Sequence, residues 1–435
     1  MRPTGTTQRQ WRVLLPLGLA TLLSLAGDLT LYAVLPAQAV ALGLSMGALG
    51  FILSANRLVR LLSNPVAGLL LDRCGRRRLF LCGMALGTLS TLGYLQLQRP
   101  GLLLAARLLW GISWSLIYVG GYSMLVDITT RGDRGRASGV LQVFYFAGLS
   151  LHPLLGGLLA DRFGFQAAIA ACALLTGLGL AIALLALPET RSDRLPSEAG
   201  ELGQRAPRRR YSSRFVYARR AIQATGWLVR QPQSLAASYL YMLASFAGDG
   251  IVMSTISLYL KQRYGEAALF GSLSWPIATL GGALLAIRAL VSGLVAPWAG
   301  HLSDRAASRW AVTECGVILG VAGMGLLALA SEPLPLVLSV CLVALSGSFL
   351  TTVLPALVGD LGGREQSGAV LGALMTAGDI GCAVAPLAVY QLAASLPLQR
   401  VYIISALLLA TGLGLPWLAS RTSLAARTRM STMEE

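Results

Sequence analysis

The stretch Gly68-Leu69-Leu70-Leu71-Asp72-Arg73-Cys74-Gly75-Arg76-Arg77-Arg78 closes a long apolar run with a glycine, an acid and a basic cluster. The next apolar run begins at once, with Leu79. So abrupt a change from aliphatic to cationic residues marks a membrane helix meeting an aqueous surface. The stretch has an echo. Pro65, Gly68, Asp72 and Arg73 reappear 232 positions on as Pro297, Gly300, Asp304 and Arg305, in a weaker copy with Ala307 where a Gly is usual. Two further sets repeat. Ser24-Leu25-Ala26-Gly27-Asp28 returns as Ser245-Phe246-Ala247-Gly248-Asp249. Asp127, Gly135, Gly139, Gly148 and Pro153 return 233 positions on as Asp360, Gly368, Gly372, Gly381 and Pro386. Ordered matches at a nearly constant offset indicate two duplicated halves.

Working outward, apolar runs fall roughly at 13–36, 47–71, 79–98, 101–126, 137–160 and 166–187, then at 234–260, 270–302, 311–330, 334–358, 367–393 and 398–419. A membrane span needs ~20 apolar residues, so each run suffices. Twelve spans with short loops account for nearly all of the 435 residues. The fold expected is an all-α integral membrane protein with two pseudo-symmetric six-helix bundles, 1–187 and 234–435. The polar segment 188–233, with Pro188, Pro196, Pro207 and Arg208-Arg209-Arg210, is the linker.

Composition agrees. Charged residues are 12% of the chain and hydrophobic ones 55%, too few and too many for an ordinary soluble surface. The net charge of +16 invites a nucleic-acid reading. Its placement excludes one, because the cations sit in short clusters between apolar runs and not on a folded basic face. Of the 35 Lys and Arg, 26 fall on the termini and even-numbered loops, which puts both termini and the linker in the cytoplasm. The first run is longer than a signal core and contains Asp28, so it is read as a retained span. The cysteines, Cys74, Cys82, Cys172, Cys315, Cys341 and Cys382, show no CxxC spacing; neither disulfide nor metal is expected.

The Gly68–Arg78 stretch closely resembles the loop signature of the major facilitator superfamily: Gly, three residues, Asp-Arg, any residue, Gly, then basic residues. The run Arg107-Leu108-Leu109-Trp110-Gly111 looks like that family's second motif, an Arg in the fourth span with Gly four positions on. The fifth span's Gly148-Leu149-Ser150-Leu151-His152-Pro153-Leu154-Leu155-Gly156-Gly157 resembles the motif of the family's proton antiporters, with His152 replacing the usual Gly before Pro. The resemblance covers nearly the whole chain and implies a secondary transporter of the twelve-helix drug/proton antiporter branch. It also implies that Gly68, Asp72, Arg73, Gly75, Arg76 and Arg77, with Gly300, Asp304 and Arg305 in the second copy, form a conformational latch. The plainer reading is a positive-inside anchor with a turn glycine. For Gly148, Pro153, Gly156 and Gly157 the plainer reading is close helix packing.

Buried charge points to the chemistry. At 1.5 Å per residue, Asp28 and Arg107 both fall roughly 8–12 Å below the outer surface. An Asp at such a level costs ~2.5–3.5 kcal/mol on insertion scales, so it is kept for a reason. A nearby guanidinium favours the ionised acid and surrounding hydrocarbon the protonated one, the opposed effects a switchable proton site needs. The alternative is a permanent structural ion pair. Asp249 is the twin of Asp28, with Tyr241, Met242 and Ser245 nearby to suit a mixed polar and apolar cavity, Tyr241 and Ser245 being candidate substrate-binding residues, and Asp379 is a third candidate acid. His152 is either a titrating partner for Asp379 or a hydrogen-bonded structural histidine. Arg57, Arg60 and Arg288 are candidates for binding an anionic substrate or pairing with these acids.

The reading that follows is a proton-coupled exporter of small organic or amphiphilic compounds, working by alternating access, with Asp28 carrying the proton and Asp249 or Asp379 serving the substrate. Rivals are a proton symporter or exchanger for a nutrient or organic anion, and a transport-inactive membrane sensor or scaffold. No enzymatic activity and no cofactor are expected. The expected partners are a small-molecule substrate, protons and the lipid bilayer, with the chain acting as a monomer in a bacterial inner membrane.

Overall fold

The computed structural model describes residues 5–39, 41–96, 99–130, 133–190, 231–270, 273–416 and 418. The 188–233 linker, with Arg208 to Arg210, falls almost wholly outside them. Among the described residues, nine helices are long and apolar enough to cross a membrane. Three more crossings complete the twelve. Met46–Cys74 is 29 residues long but carries Asn56, Arg57 and Arg60 mid-helix. Pro333–Ala393, at 61 residues, has the length of two spans. Leu398–Ala410 is a shorter apolar helix.

The first half runs α1 (Gly5–Ser24), α2 (Ala26–Gln38), α3 (Met46–Cys74), α4 (Arg76–Gly93), α5 (Pro100–Asp127), α6 (Arg134–Phe163) and α7 (Phe165–Ala186). The first span is α1 plus α2, and it breaks at Leu25. There the hydroxyls of Thr21 and Ser24 donate back to Leu17 and Thr21 carbonyls, a competition that bends helices. One-residue turns at Gly75 and Gly164, with φ of 83° and 84°, join α3 to α4 and α6 to α7. Only glycine adopts that backbone without strain.

The second half runs α8 (Pro232–Ser245), a π-helical turn at Phe246–Val252, and α9 (Met253–Tyr264). A hairpin of β1 (Ala267–Phe270) and β2 (Leu273–Pro276) follows, paired antiparallel. Next come α10 (Ile277–Arg305), α11 (Arg309–Leu329), α12 (Pro333–Ala393) and α13 (Leu398–Ala410). The π turn holds Gly248-Asp249-Gly250, so both Ser-x-Ala-Gly-Asp repeats sit at an interruption of the α-helix. An apolar core of Leu240, Ala244, Val317, Leu350 and Leu354 ties α8, α11 and α12 together.

The chain divides into two compact units: Met1–Ser212 with Leu260–Ala286, and Ser213–Tyr259 with Ile287–Glu435. Sequence alone puts all of 234–435 in the second bundle, whereas Leu260–Ala286 packs with the first unit. Small residues make that packing possible. A methyl group on Gly157 would lie 2.2 Å from the Ala278 carbonyl oxygen, and one on Gly282 would lie 2.1 Å from that of Pro153. Asp161 at the end of α6 accepts hydrogen bonds from the Thr279 amide and hydroxyl, both 2.6 Å, near the start of α10.

Candidate functional site

Asp28 and Arg107 meet in the first unit. The helix break at Leu25 precedes Asp28 by three residues, and α5 brings Arg107 to it as a buried ion pair. The remaining Arg107 donors are also engaged. Nε donates to the Ile52 carbonyl at 3.3 Å, and Nη2 to Tyr32 Oη at 2.9 Å and the Leu53 carbonyl at 3.3 Å. The guanidinium lies 4.9 Å from the Tyr32 ring centre. Asn56 Nδ2 donates to Asp28 at 3.3 Å. Side-chain exposure is 0% for Arg107 and 9% for Asp28. The arrangement depends on Gly111, one turn along α5. A methyl there would lie 2.3 Å from the Asn56 carbonyl oxygen, so glycine lets α5 close on α3 beside the pair. The Arg-x-x-x-Gly pattern is therefore a charge and the contact that seats it.

Asp249 meets Arg288 of α10 in the second unit. Here Asp249 is 44% exposed and Arg288 13%. A methyl on Gly248 would reach 3.1 Å from Arg288 Nη2, and one on Gly250 would clash with Ala385 of α12 at 2.2 Å. The two glycines flanking the acid thus admit the guanidinium on one side and a helix on the other. Tyr241 and Ser245 pack on α12 at Gly378, where a methyl would lie 2.4 Å from the Tyr241 ring and 3.0 Å from Ser245 Oγ. Asp379 is the next residue of α12, half-buried.

His152 is buried, and its Nε2 donates to the Leu22 carbonyl at 2.9 Å. Thr30 Oγ1 donates to the His152 carbonyl at 3.1 Å, two residues from Asp28 along α2. The motif glycines of α6 explain the approach. A methyl on Gly148 would lie 2.9 Å from Leu25 Cδ1, and one on Gly156 would lie 2.1 Å from Thr30 Oγ1. Gly157, as above, faces Ala278. With Pro153 one backbone donor is lost within α6, and the span stays helical through it. Arg57 and Arg60 lie half-buried on α3.

The loop signature is a set of helix-end contacts. Arg76 pairs with Asp127 at 2.9 Å, both under 10% exposed, and donates to the Leu71 carbonyl at 3.3 Å. Glu189, past the end of α7, accepts from the Arg76 and Arg77 amides at 3.1 and 3.2 Å. A carboxylate at a helix N-terminus satisfies orphan donors and complements the helix dipole. Arg77 returns the favour at the other helix end, donating to the Leu184 and Leu187 carbonyls at 2.6 Å each. In the second half Arg309 pairs with Asp360 at 3.0 Å and with Asp304 at 2.9 Å, 27% exposed against 66% for either acid. Arg305 is exposed, a methyl on Gly300 would sit 3.5 Å from the Thr352 methyl, and one on Gly68 would meet open space. The Asp72 and Arg73 side chains lie outside the described residues. Glu189 and Arg309 are absent from the sequence-derived set. Arg309 stands 233 positions from Arg76, the offset already visible between Asp127 and Asp360.

Twelve apolar crossings, two halves repeating the same acids, and charges buried within them define a membrane transport protein. The family model of the Major Facilitator Superfamily matches residues 17–287 and 240–432, and the chain belongs to that family. It is a multi-pass membrane transporter and not an enzyme. Relatives include multidrug resistance protein 2 of Bacillus subtilis, 28% identical over 148 residues, 33% of this chain and 37% of that protein. The class C tetracycline resistance protein of Escherichia coli is 30% identical over 148 residues, 34% of this chain and 37% of that protein. A probable vesicular acetylcholine transporter-B of Danio rerio is 32% identical over 117 residues, 27% of this chain and 24% of that protein. The matches thus span about a quarter to two fifths of these relatives' lengths. The fold is similar to that of the nucleoside transporter NupG, with a TM-score of 0.77, 12% identity, and coverage of 93% of this chain and 99% of that one.

Proposed function

We propose that the chain is a proton-coupled exporter of small amphiphilic organic compounds, with proton and substrate competing at Asp249. The observation that carries this reading is the half-exposed Asp249 on a π turn, paired with Arg288 of α10; such helical irregularities are frequent at functional sites. A proton on Asp249 removes its attraction to Arg288, and a substrate cation or donor can take the place of Arg288 against the carboxylate. Asp28–Arg107 serves the fold instead, because every partner of Arg107 is a protein group buried with it. That moves the proton-carrying role from Asp28, favoured by sequence alone, to its twin. Asp379, beside the Tyr241 and Ser245 contact, is the second candidate acid, and His152 is a structural histidine held by Leu22. Export is supported by relatives named for multidrug and tetracycline resistance.

On the same reading the chain works as a monomer by alternating access in a bacterial inner membrane, with both termini cytoplasmic. Asp72 and Arg73 complete a latch with the Gly75, Arg76 and Arg77 contacts. The test is transport in proteoliposomes under an imposed pH gradient, screened over cationic, neutral and anionic amphiphiles. Uphill movement of cationic or neutral compounds against a proton flux supports the reading. Movement of anions with protons favours the symporter alternative, with Arg57 and Arg60 as its cations. No movement of any compound leaves a membrane sensor or scaffold.

A further inference from the structure

The interval between α5 and α6 is filled by aromatic rings. Trp110, Trp114, Tyr118 and Tyr122 follow one another at four-residue spacing, so they lie along one side of α5. Ring centres are 6.1 Å apart from Trp110 to Trp114 and from Trp114 to Tyr118, and 4.7 Å from Tyr118 to Tyr122. Tyr145 of α6 joins at 5.9 Å from Trp114 and is itself 5.7 Å from Phe146. Gln142 Nε2 donates to the Tyr122 hydroxyl at 3.0 Å.

Packing alone does not account for this cluster. Trp110 and Trp114 are buried, yet Tyr118 in the same row is 45% exposed. At 3.6 residues per turn, Leu108 and Val126, both exposed, point the same way, and Tyr118 lies about 80° round from them towards the buried Arg107–Trp114 side. Tyrosine places an apolar ring against apolar neighbours and its polar tip towards water. The Tyr118, Tyr122, Tyr145 and Gln142 face therefore suits a wetted, ligand-accessible path better than lipid. Its chemistry is ring faces and neutral polar tips. Arg107 is eleven residues from Tyr118, about 16 Å along the helix, and is already paired with Asp28. Asp127 is nine residues away, about 14 Å, and is paired with Arg76. Between Arg136 and Asp161, α6 carries no Asp, Glu, Lys or Arg.

We propose that the ring cluster of Trp114, Tyr118, Tyr122 and Tyr145 is a binding subsite for a planar aromatic group of the transported compound, recognising the ring and not its charge. The proposal rests on the reading of the chain as a transporter of organic compounds, but not on proton coupling. Stacking on offset faces 4.5–7 Å apart is the favoured geometry for such rings. The spacing of these side chains already has that range, and the exposed Tyr118 is where an additional ring enters.

The experiment is equilibrium calorimetry on the full-length protein in detergent, without any gradient, using three probes. Ethidium is a planar aromatic cation, phenanthridine is its neutral ring system, and dodecyltrimethylammonium is a cation without a ring. Tyr118→Ala and Tyr145→Ala should each raise the Kd for ethidium and phenanthridine about 3–10-fold, the range of a lost aromatic pair. Tyr118→Phe should bind both as the unaltered protein does, and dodecyltrimethylammonium should be indifferent to all three changes. Tyr118→Leu, which keeps bulk without a ring, guards against a folding defect; it should match the alanine variant in affinity and the unaltered protein in thermal unfolding. Unchanged affinity for both ring probes in the alanine variants overturns the proposal, and so does an equal loss for dodecyltrimethylammonium. Because no proton gradient is applied, a failure of the coupling reading leaves these affinities where they are.

Discussion

Both halves pair their repeated acids with arginines, but at different exposure. In the first, Arg107–Asp28 and Arg76–Asp127 are almost wholly enclosed. In the second, Asp249 is half-exposed beside Arg288, and Arg309 holds Asp304 and Asp360 at an open surface. The repeat supplies the same acids, and burial sets the two halves apart. A buried pair that loses one partner strands the other, at about 3–5 kcal/mol. A solvent-exposed pair, such as Arg309 with its acids, contributes about 0–1 kcal/mol and breaks easily. The first half therefore holds charges that fix its helices. The second holds charges that can exchange partners, as the proposed coupling to a proton and a substrate requires.

The strongest way to break this contrast is to remove Arg107. Arg107→Met should lower stability by about 3–5 kcal/mol, because Asp28 is left buried and unpaired. Adding Asp28→Asn should recover most of that loss. The measurement is thermal unfolding of the purified variants, and a single variant as stable as the unaltered protein ends the claim of a structural pair. A middle-sized test sits at the loops. Arg76→Ala, which loses a buried carboxylate bond and the Leu71 carbonyl, should cost about 2–3 kcal/mol, whereas Arg309→Ala should stay within about 1 kcal/mol. Equal losses would mean that exposure does not separate the halves. The smallest contrast is in packing. Gly111→Ala pushes a methyl to 2.3 Å from a backbone oxygen and should cost about 1–3 kcal/mol, while Gly300→Ala, at 3.5 Å from a methyl, should be close to neutral.

Much of this was legible in the residues. Apolar runs and the offset of 232–233 give twelve spans in two halves. Depth counting brings Asp28 to Arg107, because both residues can be measured from the same membrane surface. The partner of Asp249 is harder to read. In the first half the acid pairs with the fourth span, in the second with the eighth, so the repeat does not carry the partner across. The π turn at Phe246–Val252 is also hidden, since Gly248 and Gly250 permit it without demanding it. Glu189 follows an apolar run and looks like any loop acid; only the fold brings it to the amides of Arg76 and Arg77. Leu260–Ala286 leaves its own half through contacts at Gly157 and Gly282 that hydropathy does not encode. The Arg309–Asp360 pair, by contrast, was readable, because Arg76 and Asp127 shift by the same 233 positions.

The division between a fixed and an exchangeable pair is tested most directly by comparing Asp28→Asn with Asp249→Asn in proteoliposomes, each normalised to folded protein. A transported amphiphile is followed with and without an imposed pH gradient. Asp249→Asn should lose gradient-driven accumulation while keeping downhill exchange, and Asp28→Asn should retain accumulation in whatever fraction of the protein folds. If Asp249→Asn still concentrates substrate at the unaltered rate while Asp28→Asn only equilibrates it, the assignment of the two pairs is reversed.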